Sequence, residues 1–322
     1  MSKDFTSFYE RELLPALQEL EVSRKYNLQL FIKIAIAAVF MVLIVCAIHL
    51  YMYPLEEWML IIGGVLLFAG TIILYSFKKK PIRDDFKKKV ITNLVKYVNE
   101  DLVYDSHKSI PRGEYMRSKL FRRRPDRYSG EDFAAGKLDK TAIEFSEIHS
   151  EYKQTTRDSK GRTRTTWHTI FKGIFVIADF HKDFKSNTLV VPDTAESLFG
   201  GFGRRLQKLG ASFGELVEME NVDFEKEFAV YSYDQIEARY ILSPVMMERI
   251  LEYRKKWKRD IYLSFVNSKV YIAIPESENL FEPSFFSRLD NKEYYERMVS
   301  YLDLIIDVVE SLNLNVRIWT KD

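Results

Sequence analysis

The chain has 322 residues, enough for a membrane anchor plus one sizeable globular domain. Its 48 Lys and Arg against 46 Asp and Glu leave a formal net charge of +2, which argues against a dedicated nucleic-acid binder. An aromatic share of 14% argues against disorder over most of the length, and the single cysteine, Cys46, has no disulfide partner within the chain and suits a reducing compartment.

Residues 1–33 read as a cytoplasmic N-terminal helical segment, with Leu13, Leu14, Leu17, Leu20 and Val22 as its apolar positions and Pro15 expected to interrupt or bend it. Ile34–Tyr53 and Trp58–Phe77 follow, each free of formal charge and near the ~20 residues a helix needs to cross a bilayer. Only Pro54, Leu55, Glu56 and Glu57 lie between them, so residues 34–77 are expected to form a transmembrane hairpin of two antiparallel helices. Arg24, Lys25 and Lys33 flank the first run, and the link between the runs is acidic. Lys78, Lys79, Lys80, Arg83, Lys87, Lys88 and Lys89 follow the second. That asymmetry predicts a multi-pass protein with both termini in the cytoplasm. Lys33 and the seven cations after the second run are candidate membrane-interface residues. The ordinary reading is topology alone, the sharper one contact with anionic lipid at ~1 kcal/mol per cation.

Residues 78–140 read as a juxtamembrane basic helix and an irregular linker, broken by Pro111, Gly113, Pro125 and Gly130. A short helix is expected near Glu114–Phe121. Arg122, Arg123, Arg124 and Arg127 form a second basic patch, read first as a solvated loop and second as a membrane contact.

Residues 141–322 read as an α+β cytoplasmic domain of mainly antiparallel sheet with packed helices. Extended runs through Ile143–Tyr152 and Thr165–Phe180 flank a turn-rich link, predicting a hairpin whose tip projects into solvent. Arg157, Lys160, Arg162 and Arg164 at that tip are the candidate partner-binding residues. Further strands are expected at Thr188–Val191, Leu216–Glu220, Phe228–Tyr231, Glu237–Leu242 and Val316–Thr320, and a short helix within the Gly-rich segment Ser197–Gly214. Ser243 with Pro244 starts a helix running to Trp257. Asn267-Ser268 joins two strands as a hairpin turn. Asp290 and Glu293 have capping-box spacing before a last helix striped with Tyr295, Met298, Leu302, Ile305, Val309 and Leu312.

Three stretches carry a resemblance: FKGIFVIADFHKDF ending at Phe184, FEKEFAVYSYDQIEARYILSPVMMERILE from Phe224, and LSFVNSKVYIAIPESENLFEP from Leu263. In these the chain resembles a bacterial family of membrane proteins known as domain of unknown function 3137. The resemblance implies a bacterial inner-membrane location. It supplies no activity and no catalytic residues, and it suggests a LemA-type membrane protein as one candidate partner.

No HExxH and no P-loop ending is present, so neither a metal nor a cofactor is expected. Asp179, His181 and Asp183 are the most suggestive polar cluster, since alternate residues of a strand share a face. The ordinary reading of that cluster is a strand end entering a loop. The expected function is a membrane-anchored scaffold or interaction module that contacts membrane lipids and another membrane or cytoplasmic protein, without nucleic acid. A homo-oligomer remains an open alternative. The competing expectation is a membrane-bound enzyme acting on a lipid or phosphorylated substrate near Asp179, His181 and Asp183.

Overall fold

A computed structural model describes residues 5–51, 63–64, 70, 81–157, 161–180, 184–193, 214–283 and 286–312. The chain divides into two compact units, one of residues 1–94 with 281–297 and one of 95–280 with 298–322.

In the first unit, helical turns Phe5–Phe8 and Tyr9–Leu13 run directly into α1 (Leu14–Tyr51). The expected break at Pro15 does not occur. Pro15 sits at the second position of α1, just after a π-helical turn, Tyr9–Leu13, in which the Leu14 N–H donates to the Tyr9 carbonyl. The N-terminal segment and the first apolar run are therefore one helix, long and apolar enough to cross a membrane. Val39, Phe40, Met41, Leu43 and Ile44 are exposed along it, a continuous apolar surface that suits hydrocarbon and not water. The second span of the expected hairpin lies outside the described residues, apart from the helical Gly63, Gly64 and Gly70.

Leu13, Leu17 and Leu20 are buried in this unit with Phe86, Val90, Ile91 and Leu94. The ring of Tyr295 lies 6.0 Å from Tyr9 and 6.3 Å from Phe86. Arg24 holds the Glu21 carboxylate at 2.7 and 2.8 Å, and the Leu289 N–H donates to the same group at 3.1 Å.

The second unit is built on a nine-stranded, wholly antiparallel sheet of order β1-β2-β3-β4-β9-β8-β5-β7-β6. The strands are β1 (Val103–Asp105), β2 (Arg127–Leu138), β3 (Thr141–Arg157), β4 (Thr163–Asp179), β5 (Thr188–Pro192), β6 (Glu215–Leu216), β7 (Phe228–Ser232), β8 (Tyr262–Val266) and β9 (Lys269–Pro275). In chain order the helices are α2 (Thr92–Val98), α3 (Arg112–Arg117), α4 (Val222–Glu227), α5 (Gln235–Ile241), α6 (Pro244–Trp257) and α7 (Lys292–Ser311). Residues 292–297 of α7 belong to the first unit and the rest to the second. β5 and β8 are buried at every position, as expected for strands covered on both faces. One core cluster gathers Tyr115, Phe121, Ile148, Phe171, Phe175 and Tyr271, with Tyr115 stacked on Phe121 at 4.9 Å. α6 is tied to α7 by the Tyr253 hydroxyl on the Leu304 carbonyl at 3.2 Å and by the Trp257 indole N–H on Asp307 at 2.7 Å.

Several expectations are corrected. A twelve-residue strand, β2, stands where an irregular linker was expected, so the sheet begins well before residue 141. Its polar, Gly-containing sequence forms a strand because it gains a full ladder with β3. Glu237–Leu242 is not a strand but part of α5, nucleated by Asp234, whose side chain accepts from the N–H groups of Ile236 and Glu237. The last helix is not capped by Asp290. Arg288 engages that carboxylate, and Asn291 accepts from the Glu293 N–H at 3.1 Å instead. The expected closing strand at Val316–Thr320 and the segment 194–213 lie outside the described residues.

Candidate functional site

The feature that stands out from this sheet is an arm. β2 ends at Arg127 opposite Glu151, and β9 ends at Pro275 opposite Gly173, yet β3 and β4 continue to pair as far as Arg157 opposite Thr163. Tyr152–Arg157 and Thr163–His168 are thus a two-stranded ribbon with no further described strand on either side. Lys153 through Arg157 and Arg162 through Thr165 are exposed on both faces. The β-branched threonines 155, 156, 163, 165, 166 and 169 favour the extended backbone without supplying an apolar face to bury. A bulge between Ser150 and Glu151 marks the point where the ribbon leaves the sheet.

The root of the arm is braced by the second basic patch. The Arg127 guanidinium lies 3.5 Å over the Trp167 ring, and that of Arg123 lies 3.8 Å over Tyr152. Tyr152 stacks in turn on His168 at 5.0 Å. The Asp126 carboxylate accepts from the Lys153 N–H at 2.7 Å. These contacts fix planar groups on both faces of a ribbon that would be marginal alone. Arg123 and Arg127, expected in a solvated loop, are clamps.

Of the predicted partner-binding residues, Arg157, Arg162 and Arg164 are on or beside the arm, and Lys160 lies outside the described residues. The strand pairing puts Lys153, Arg157 and Trp167 on one face and Arg164 on the other, beside Gln154, Thr156 and His168. From Lys153 to Thr169 the sequence holds five cations, Lys153, Arg157, Lys160, Arg162 and Arg164, against one carboxylate, Asp158. The arm is therefore positive on both sides.

A groove of about 400 Å³ opens on the sheet nearby, lined by Ser129, Glu131, Glu147, His149, Lys172 and Glu276 among others. Its floor includes Gly173 at φ 150°, where a Cβ would fall 2.2 Å from the Ile274 carbonyl oxygen, so only glycine fits. At one side, oxygens of Glu131, Asp132 and Glu147 lie within 4.8 Å of one another. Asp132 is buried in a left-handed conformation at φ 59°, inside the bulge of β2. Its carboxylate accepts from the Tyr104 hydroxyl, and that of Glu147 accepts from the Leu280 N–H at 2.8 Å. Burial and then the Asp132 carboxylate push the Tyr104 hydroxyl far up, which makes it a committed donor. An all-oxygen set is chemically suited to a hard divalent cation, but these donors already account for its geometry. Sequence reasoning missed this cluster because it assembles across β1, β2 and β3. The local signal was Gly130-Glu131-Asp132, a bulge-forming run.

Asp179 closes β4 opposite Lys269, while His181 and Asp183 lie outside the described residues. Several membrane-interface candidates are engaged inside the protein. Lys87 is buried and pairs with Glu282 at 3.3 Å, Arg83 reaches Glu282 at 3.8 Å, and Lys89 meets Glu19 at 2.8 Å. Lys88 is exposed, Lys33 projects from α1, and Lys78, Lys79 and Lys80 lie outside the described residues.

Residues 169–314 match the family model described as "Protein of unknown function (DUF3137)". No curated protein matches the chain. One solved structure, the mycobacterial trehalose monomycolate transport factor A, TtfA, aligns at 9% identity with a TM-score of 0.33, over 69% of this chain and 93% of its own.

Proposed function

We propose that this protein is a membrane-anchored interaction module, and that the β3–β4 arm is its contact surface. The observation that carries this reading is the isolated ribbon itself. A two-stranded ribbon with both faces in solvent buries little apolar area, so Arg123, Arg127 and Asp126 hold in place a structure that the core does not require. Its excess of cations, five against the single carboxylate of Asp158, suits recognition of an anionic surface.

The two-helix anchor is supported by a contact at its base. Glu19 lies near the start of α1 and Lys89 follows the second apolar run, yet their side chains meet at 2.8 Å. That contact brings a residue that follows the second apolar run beside the start of α1, as a returning span would. At about 1.5 Å per residue, the residues up to Lys89 are enough to return as helix.

The test is to replace residues 154–166 with a two-residue turn in the full-length protein and compare crosslinked partners in native membranes. Loss of the dominant crosslinks with unchanged thermal unfolding supports the reading. An unchanged crosslink pattern rejects it.

A further inference from the structure

Resting on that reading, we infer that the arm's target is the anionic headgroup layer of a lipid bilayer. Three observations converge on a diffuse anionic surface in place of a shaped protein pocket. First, the cations are not confined to one face: Lys153 and Arg157 point one way from the ribbon and Arg164 the other. A groove on a partner protein reads one face of a strand or its edge, whereas a headgroup layer meets a projecting rod from every side. Second, cations outnumber carboxylates along the arm, with Lys153, Arg157, Lys160, Arg162 and Arg164 against Asp158 alone between Lys153 and Thr169. Third, the arm projects. Tyr152–Arg157, the stretch without a flanking strand, extends roughly 20 Å. Attraction to a charged surface decays over about 8 Å at physiological salt. Charges on such a projection reach a surface that the near-neutral body of the chain would not feel.

The composition fits the same target. Arg157, Arg162 and Arg164 bring guanidinium groups that take phosphate oxygens in pairs. The threonine hydroxyls between them add donors at the same depth. Each cation close to an anionic leaflet contributes on the order of 1 kcal/mol. The same chain carries α1, so a bilayer held by that helix would be tethered to the arm. Contacts too weak to hold two separate bodies become effective once one tether supplies a high local concentration.

The test uses full-length protein in nanodiscs, with a Cys46→Ala, Thr155→Cys background carrying an environment-sensitive fluorophore on the exposed arm. One set of discs is phosphatidylcholine alone, the other includes phosphatidylglycerol, and both contain lipid with a quencher on the headgroup. The expected result is quenching several-fold stronger in the anionic discs, reversed by high salt. It should be lost when Arg157→Gln, Arg162→Gln and Arg164→Gln are combined, a variant that leaves the ribbon backbone intact. Equal quenching in both kinds of disc, or quenching that survives the triple substitution, overturns the inference. An arm silent to both lipids but crosslinked to a protein in native membranes also overturns it, while leaving the interaction reading standing. An arm silent to lipid and without protein crosslinks sinks both.

Discussion

The Tyr104 hydroxyl donates to the buried carboxylate of Asp132, joining the edge strand β1 to the bulge of β2. Asp132 sits there at φ 59°, a conformation that aspartate tolerates better than most residues. Its neighbours Glu131 and Glu147 would repel it if the site were not supplied with donors. The bond therefore holds the outer part of the sheet at the side of the groove.

Removing it should be costly. Asp132→Ala loses the acceptor and places alanine in a left-handed conformation, a combined penalty of about 2–4 kcal/mol. Asp132→Asn keeps the backbone preference and an acceptor and should cost about half as much. Tyr104→Phe should cost about 1–2 kcal/mol, and a double-mutant cycle between Tyr104 and Asp132 should be strongly non-additive. Thermal unfolding of the full-length protein in detergent measures all three.

A second prediction concerns Lys87, a buried ammonium that pairs with Glu282 at 3.3 Å. Glu282→Ala weakens the pairing of a charge that cannot reach water and should destabilise by about 1–3 kcal/mol. Lys87→Met together with Glu282→Gln should recover most of that loss, because no buried charge is left behind. Urea midpoints of the single and double variants decide it.

The pH dependence should carry a signature of Glu114. Burial alone would raise its carboxyl, but Lys269 at 3.5 Å, Arg117 and the Tyr271 hydroxyl outweigh that effect and hold it below the usual value. The same neighbourhood, burial first and Glu114 second, pushes Tyr271 up to about 12. A depressed carboxyl contributes stability above its unfolded value of 4.5, and that contribution is lost as pH falls through the lower folded value. Wild type should exceed Glu114→Gln by about 1 kcal/mol at neutral pH, and the gap should close in acid. A gap that widens below pH ~4 would contradict the assignment.

The turn between β8 and β9 makes a smaller prediction. Asn267 and Ser268 both have positive φ, at 49° and 62°, as a two-residue hairpin turn of this hand requires. Ser268→Gly should stabilise the protein by about 0.5–1 kcal/mol, since serine is strained there and asparagine is not. Thermal unfolding again provides the readout.

That turn also shows what the sequence could reveal. Asn267-Ser268, the Ser243-Pro244 helix start and the stripe from Tyr295 to Leu312 are local signals, and each element forms where those residues place it. The projecting hairpin was legible for the same reason, from two extended runs around a Gly-containing link. β2 was not legible, because Arg127–Leu138 becomes a strand only through its ladder with β3, a partner that no local pattern names. The strand expected at Glu237–Leu242 is part of a helix because the Asp234 cap, just before it, decides for helix. The candidate site divides the same way. The cations of the tip were visible in the sequence. The clamps Arg123 and Arg127 and the cluster of Glu131, Asp132 and Glu147 depend on cross-strand neighbours and emerged only in three dimensions.

The most direct test of the central claim is photo-crosslinking in native membranes, with a photoreactive side chain at Thr165 on the arm and a control at Ser129 by the groove. The account predicts strong crosslinks from Thr165, to lipid or to a single partner, and few from Ser129. Crosslinks from Ser129 with none from Thr165 would contradict it and move the functional surface from the arm to the groove.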